Sequence, residues 1–288
     1  MMTQDERRII IAALAEDAGA GDPTTAATIG PFTTGKAYFL AKADGILAGI
    51  QIVCETFAIY AASSDRSASV SMTILVQDGT AVTKGMKLAE LSAPLDVLLT
   101  AERVALNLLQ RMCGIATSTH HFVEAVKGTK ATIIDTRKTA PLLRPFDRYG
   151  VRMGGGQNHR YSLGDMMLVK DNHIAANGGN IELVIEKIKT YFESNPRIPV
   201  ELEVTSLEQF ERVMANGKGV IDRVLFDNFE LETLREAVKR NDGVFKTEAS
   251  GGVNLTNVTA IAETGVDYIS IGALTHSVVG LDISLEVE

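Results

Sequence analysis

From about residue 115 to residue 275 the chain repeats one pattern: a short apolar run ending in polar or small residues, then a longer stretch. The short runs are ATIIDT, MMLVKD, PVELEVT, RVLFDN, VFKTEAS and DYISIG. Stretches with helical spacing lie between several of them, at Ile181–Phe192, Leu207–Ala215, Leu231–Lys239 and Thr256–Thr264. Strand and helix alternating in this way predict parallel βα units, because parallel strands need long crossover connections. The polar residues fall at the C-terminal ends of the predicted strands, which is where a barrel carries its active-site face. The expected fold class is α/β, with a barrel over 115–275 and a smaller α+β domain over 1–114.

The first 114 residues are less regular. A helix is predicted over Glu6–Asp17, ended by the turn-rich segment Gly19–Thr25, where Pro23 blocks continuation. Ala37–Ala43 and Ala68–Gln77 read as strands and Gly49–Ala62 as a helix. Asp78-Gly79 and Lys84-Gly85, set between short apolar runs, predict hairpin turns. Thr100–Cys113 has a continuous apolar stripe, and Thr100 is its expected N-cap. The closing LDISLEVE alternates as a strand does, so residues 276–288 are expected to return to the N-terminal domain.

Charge narrows the partners. The chain carries a formal net charge of -8, against binding of an extended polyanion, and it has no Trp to stack on bases. Between Asp135 and His173, however, seven Lys or Arg face four Asp, a local +3 in an acidic protein. That island suits a small anionic ligand. Cys54 and Cys113 are far apart and form neither a disulfide framework nor a zinc motif. The N-terminus has no apolar signal core, and Gln51 and Glu55 interrupt the longest apolar stretch, so a cytoplasmic location is expected.

Arg137 and Lys138 follow the strand ATIIDT, Lys170 closes MMLVK, and His159 and Arg160 follow the glycine run Gly154-Gly155-Gly156. With Arg103 from the preceding helix, these cations would serve carboxylates, Arg by a bidentate fork and Lys as a point charge. Any single one of them could equally be a surface ion pair. The glycine run reads either as a simple turn or as backbone that approaches a ligand closely. Glu201 and Glu203 share a strand face, and Asp227 ends the next strand. Glu201 is expected to pair with a neighbouring Lys or Arg, while Glu203 and Asp227 would hold Mg²⁺ or ribose hydroxyls. The small-residue loops EASGG and SIGAL, after the last two strands, fit a phosphate site. His276 lies just beyond and would contact that phosphate or cap the turn.

Several stretches together resemble the quinolinate phosphoribosyltransferases: EDAGAGDPTT, AERVALNLLQRMCGIAT, DTRKTAPLLR, YGVRMGGGQNHR, LVKDNHI, LEVTSLEQF, LFDNF, EASGGVNL and DYISIGALTHS. The resemblance implies an N-terminal α/β sandwich domain plus an open α/β barrel. It implies transfer of a phosphoribosyl group from phosphoribosyl pyrophosphate to quinolinate with decarboxylation, giving nicotinate mononucleotide for NAD biosynthesis. Carried over by motif, quinolinate would be bound by Arg103, Thr136, Arg137, Lys138, His159, Arg160 and Lys170. Phosphoribosyl pyrophosphate would be bound by Glu203, Asp227, Ser250, Gly251, Gly252, Ser270, Ile271, Gly272 and His276. Lys138, Lys170, Glu203 and Asp227 would carry the chemistry. Mg²⁺ would bridge the pyrophosphate, with Glu203 and Asp227 as candidate ligands. The arginine matching Arg103 enters the neighbouring subunit's site in the family, which implies a homodimer or a hexamer. Ala140 and Leu142 replace the Thr and Gly of the family's usual Thr-Pro-Gly. The alternatives are a paralogue of the same fold with another substrate, a non-catalytic phosphate-sugar binder, or a Schiff-base aldolase using Lys170.

Overall fold

The structure, a computed structural model, describes residues 2–30, 33–63 and 70–288. Its elements up to the long central helix are α1 (Gln4–Ala18), α2 (Pro23–Thr28), β1 (Thr34–Ala41), β2 (Gly45–Ile46), α3 (Ile50–Ser63), β3 (Ser71–Ile74), β4 (Ala81–Val82), β5 (Lys87–Pro94) and α4 (Leu95–Ala125). There follow β6 (Thr132–Ile134), α5 (Arg144–Met153), β7 (Met167–Val169), α6 (Asp171–Ala175), α7 (Ile181–Ser194), β8 (Val200–Val204), α8 (Leu207–Asn216) and β9 (Arg223–Asp227). The chain closes with α9 (Leu231–Asn241), β10 (Lys246–Ser250), α10 (Val258–Ala262), β11 (Tyr268–Ser270), α11 (Ala273–His276) and β12 (Ile283–Val287). Two compact units result: one of Met1–His120, Lys138–Gly155 and Ala273–Glu288, the other of His121–Arg137 and Gly156–Gly272.

In the first unit, β12, β1, β5 and β3 form an antiparallel sheet in that order. The expected return of the C-terminus is there: Phe39 lies opposite Leu285. Alternation along β1 buries Ala37, Phe39 and Ala41 on one face, against Val53 and Phe57 of α3 and the apolar stripe of α4. Each large side chain buried this way stabilises the unit by roughly 1.5–3 kcal/mol. A Thr3–Glu6 capping box starts α1, and Asp22 accepts the Thr25 N–H at 3.0 Å to start α2 at Pro23.

Helix α4 begins five residues before the expected start. Val97 and Leu98 extend its buried stripe backwards, so Thr100 lies inside the helix and is not its N-cap. The Thr100 hydroxyl instead donates to Asp22 at 3.1 Å. The two predicted turns form, with positive φ at Gly79 and Gly85, but the strand between them pairs with β2 and not with β5. Of the strand expected over Ala68–Gln77, Ser71–Ile74 is strand, while Ala68 and Ser69 lie outside the described residues.

Helix α5 was not anticipated. Its Phe146 joins the core of the first unit, and buried Asp147 accepts two hydrogen bonds from Arg111 of α4, at 2.7 and 2.9 Å. Arg144, Arg148 and Arg152 are thus helix residues. The glycine run has a packing role here: a Cβ on Gly154 would stand 2.4 Å from the Ala116 carbonyl oxygen of α4.

The second unit is built on a parallel sheet in the order β6-β11-β10-β9-β8-β7. From β7 to β11 each strand lies beside its successor, so the winding runs in one direction, as in a barrel. Phe226 of β9 points to the helical layer, where its ring meets Phe210 of α8 at 5.2 Å. Side chains alternate, so Arg223 and Asp227 point the other way. The register sets Glu201, Glu203, Glu248 and Ser250 on that same inner face.

Candidate active site

Asp135 organises the cationic side of the inner face. It follows β6 directly, is fully buried, and accepts the Asn158 amide at 2.6 Å and the His159 backbone N–H at 2.7 Å. Gln157 pairs in parallel with Ile134, donating to the Ile133 carbonyl at 2.9 Å. The strap Gly156–Arg160 therefore runs along β6, and its position is set by backbone hydrogen bonds and one buried carboxylate. This arrangement brings Arg160 close to Arg137, which lies two residues beyond Asp135 with Thr136 between them.

The Arg137 Nε is buried and has no hydrogen-bond partner. Burial and the neighbouring Arg137 charge pull the Arg160 guanidinium below its usual range, although Arg160 also donates to the Met166 carbonyl at 2.9 Å. Two guanidiniums held together, one with a buried donor unmet, suit an anion.

His159 turns inward from the strap. Its Nε2 lies 3.0 Å from Glu201 and 3.6 Å from Glu248, and Arg223 donates to Glu248 at 2.7 Å. Burial alone would lower the pKa of the ring, but the two carboxylates overcome it and favour the charged form. Against this, the Arg160 N–H donates to Nδ1 at 2.7 Å, leaving no room for a hydrogen on that nitrogen. Nε2 is therefore the protonated nitrogen, pointing at the carboxylates. Burial and the Glu248 charge raise Glu201. Burial also works against the charged form of Glu248, but His159 and Arg223 hold its pKa low.

Glu203 and Asp227 end the neighbouring strands β8 and β9. Glu203 is almost fully buried and accepts Lys170 Nζ, from the end of β7, at 2.6 Å. Asp227 accepts the Asn228 amide at 2.8 Å. Asn228 has φ 55 and donates its backbone N–H to the Ser250 carbonyl at 2.9 Å. Gly251 has φ 93, and a Cβ there would stand 2.2 Å from the Asn228 side-chain oxygen, so only glycine fits. Ser270 is buried at the end of β11, and Ile271 donates to the Ile134 carbonyl at 3.0 Å. Ser250, Gly251, Gly252, Ser270, Ile271 and Gly272 thus all lie at the C-terminal ends of adjacent parallel strands.

Arg103, Lys138 and His276 belong to the first unit. Arg103 is exposed on α4, 3.8 Å from Glu102. The Lys138 carbonyl accepts the Thr275 hydroxyl at 2.8 Å, and exposed His276 contacts Ser277 at 2.7 Å. Sequence reasoning had not named Asp135, Arg223 or Glu248 as parts of this arrangement. Glu248 and Arg223 sit at an inner-face parity with Glu201, and that alternation was the signal available. No helix among the described residues is long and apolar enough to cross a membrane.

Carboxylates at strand ends, small-residue loops beside them and an arginine pair with one buried donor unmet together fit a barrel-type α/β enzyme for small anionic substrates. Family models for the N-terminal and C-terminal domains of quinolinate phosphoribosyl transferase match residues 22–113 and 115–286. The chain belongs to the quinolinate phosphoribosyltransferase family. It is 42% identical over 300 residues to quinolinate phosphoribosyltransferase [decarboxylating] 1b of Nicotiana tabacum, covering 99% of this chain and 83% of that one. It is 41% identical over 289 residues to the nicotinate-nucleotide pyrophosphorylase [carboxylating] of Mycobacterium leprae, covering 98% and 96%. The crystal structure of NadC from Streptococcus pyogenes superposes with a TM-score of 0.91 at 35% identity, covering 100% of this chain and 98% of that one.

Proposed function

We propose that this chain transfers the phosphoribosyl group of phosphoribosyl pyrophosphate to quinolinate and releases CO₂ and pyrophosphate, leaving nicotinate mononucleotide. The observation that carries this reading is the buried, unpartnered Nε of Arg137 beside Arg160, in a chain of this family. Quinolinate is a planar dianion. Its two carboxylates would be met by Arg137 and Arg160, with Thr136, Lys138, His159 and Lys170 around them.

Glu203 and Asp227 would accept the ribose hydroxyls and favour the positive charge that builds on the ring as pyrophosphate departs. Ser250, Gly251 and Gly252, with Ser270, Gly272 and His276, would bind the 5'-phosphate, largely through backbone N–H groups, while Ile271, whose N–H bonds Ile134, would shape the loop against it. The pyridine nitrogen forms a bond to C1 as the bond to pyrophosphate breaks. The nitrogen is then cationic, and its charge stabilises the electron pair left on C2 when the C2–carboxylate bond breaks and CO₂ leaves; a proton then bonds to that pair at C2. Lys138 and Lys170 would hold the retained carboxylate and the leaving group in place.

The oxygens of Glu203 and Asp227 are hard donors at the ends of adjacent strands, a set that fits Mg²⁺ held mainly by pyrophosphate. That ion would supply charge neutralisation of the leaving group. Exposed Arg103 would enter a neighbouring subunit's site, which makes the working assembly a homodimer or a hexamer. A cytoplasmic location accords with this reading.

Incubation with Mg²⁺, quinolinate and phosphoribosyl pyrophosphate tests it. Nicotinate mononucleotide and CO₂ should appear in equal amounts, and folded protein without turnover would refute the proposal.

A further inference from the structure

The inner face carries two carboxylates that the proposed chemistry does not use. Glu201 and Glu248 are both fully buried; among the described residues Glu201 has no donor beyond the 3.0 Å contact to His159, and one Glu248 oxygen has none. Burying a carboxylate costs several kcal/mol unless its surroundings repay it. Arg223 answers Glu248 from below, stacked 4.0 Å from the centroid of the Tyr268 ring, and His159 answers both from above. A core needing only to be filled would hold aliphatic side chains here, as Val200, Leu202 and Val204 fill the opposite face of β8.

The geometry extends from these carboxylates to the arginine pair in two steps. Nε2 of His159 points at Glu201 and Glu248, and Nδ1 accepts the backbone N–H of Arg160 at 2.7 Å. An imidazole fixed at one nitrogen thereby fixes the backbone of the residue whose guanidinium stands beside Arg137. Asp135 anchors the same strap from the other side, through the His159 backbone N–H.

We propose that Glu201 and Glu248 are positioning residues for the aromatic diacid: they clamp the His159 ring, and through it hold Arg160 at the separation from Arg137 that two carboxylates on one ring require. This rests on the reading of Arg137 and Arg160 as the diacid site. A rival use of the same atoms is a metal site, since His159, Glu201 and Glu248 offer ligand atoms within 4.8 Å of one another. The Arg223 guanidinium on Glu248 stands against it, because its charge would repel a cation there.

The test uses the full-length protein, with KM measured separately for each substrate. Glu201→Leu removes the acceptor and Glu201→Gln retains a neutral one. Glu201→Leu should raise the KM for quinolinate roughly 10–100-fold, with the KM for phosphoribosyl pyrophosphate and kcat within about threefold of wild type. Glu201→Gln should restore most of the quinolinate affinity. Equal losses for both substrates, or no rescue by Gln, would overturn the proposal. Should Glu201→Leu fail to fold, ¹⁵N NMR of the wild-type His159 ring decides: hydrogen on Nε2 alone supports the clamp, and rapidly exchanging tautomers refute it. A stoichiometric metal that co-purifies with wild type and is lost in Glu248→Gln would also refute it. Absence of turnover in the wild type, by contrast, would defeat the diacid reading itself.

Discussion

Lys170 Nζ lies 2.6 Å from Glu203, so the C-terminal ends of two adjacent parallel strands are joined by an ion pair at the mouth of the sheet. Lys170 is about half exposed, and such pairs contribute about 1 kcal/mol or less to stability. On the proposed reading Glu203 meets the ribose, so its loss should fall on turnover. Glu203→Gln is expected to lower kcat/KM at least 100-fold, about 2.7 kcal/mol of transition-state stabilisation. The melting temperature should move by no more than about 2 °C. Steady-state kinetics and a thermal melt check both halves.

Arg137 donates to nothing through its buried Nε, so its removal leaves no internal partner stranded there. Charge-assisted hydrogen bonds contribute roughly 1.5–3 kcal/mol each. Arg137→Ala should weaken quinolinate binding about 10–100-fold and phosphoribosyl pyrophosphate binding by less than threefold, as read by calorimetric titration of each ligand. Equal losses would contradict the assignment of Arg137 to the diacid.

Leu142 has φ 65 and is 76% exposed. A left-handed conformation costs a branched residue about 1–2 kcal/mol, and so little packing cannot offset it. Leu142→Gly should raise stability by about 1 kcal/mol, less the greater freedom glycine gives the unfolded chain. Chemical denaturation would measure it, and a lower midpoint would contradict the strain argument.

Cys113 is buried in the first unit, where its sulfur accepts the Ala48 N–H at 3.2 Å. Burial pushes its thiol up to about 12, against the smaller opposing effect of the Ala48 hydrogen bond. At pH 8 it holds almost no thiolate, the reactive form. Iodoacetamide should leave Cys113 unmodified in native protein and modify it fully in guanidinium, by peptide mass mapping. Half-buried Cys54, raised by the same cause to a lesser degree, should react first.

The six barrel strands were legible because each is an apolar run bounded by polar or small residues, and β12 because LDISLEVE alternates. Helix α5 was hidden by its own composition: its buried face mixes Phe146 and Val151 with Asp147 and Gly150, and Arg144, Arg148 and Arg152 add charge around it. Thr100 was mistaken for a cap because the local pattern ignores Asp22, which lies 78 residues away and takes its hydroxyl. Glu201 was expected to pair with a neighbouring Lys or Arg, and its close partner is instead His159 at 3.0 Å. His159 arrives on a strap 42 positions earlier, and no spacing rule connects the two. Local periodicity thus reveals elements and their faces, while long-range charge partners emerge only from the register of the sheet.

The pairing of β12 with β1 has a consequence for synthesis. The ribosome completes every residue of the second unit, which ends at Gly272, before it makes the last strand of the first. Until the final residues emerge, β1 keeps one edge open, with a row of free N–H and C=O groups able to recruit a strand from another chain. The earliest-made half of the protein is therefore the last to close. Loss of the last strand should be felt first as aggregation of the nascent N-terminal sheet, with the parallel sheet of the second unit already made.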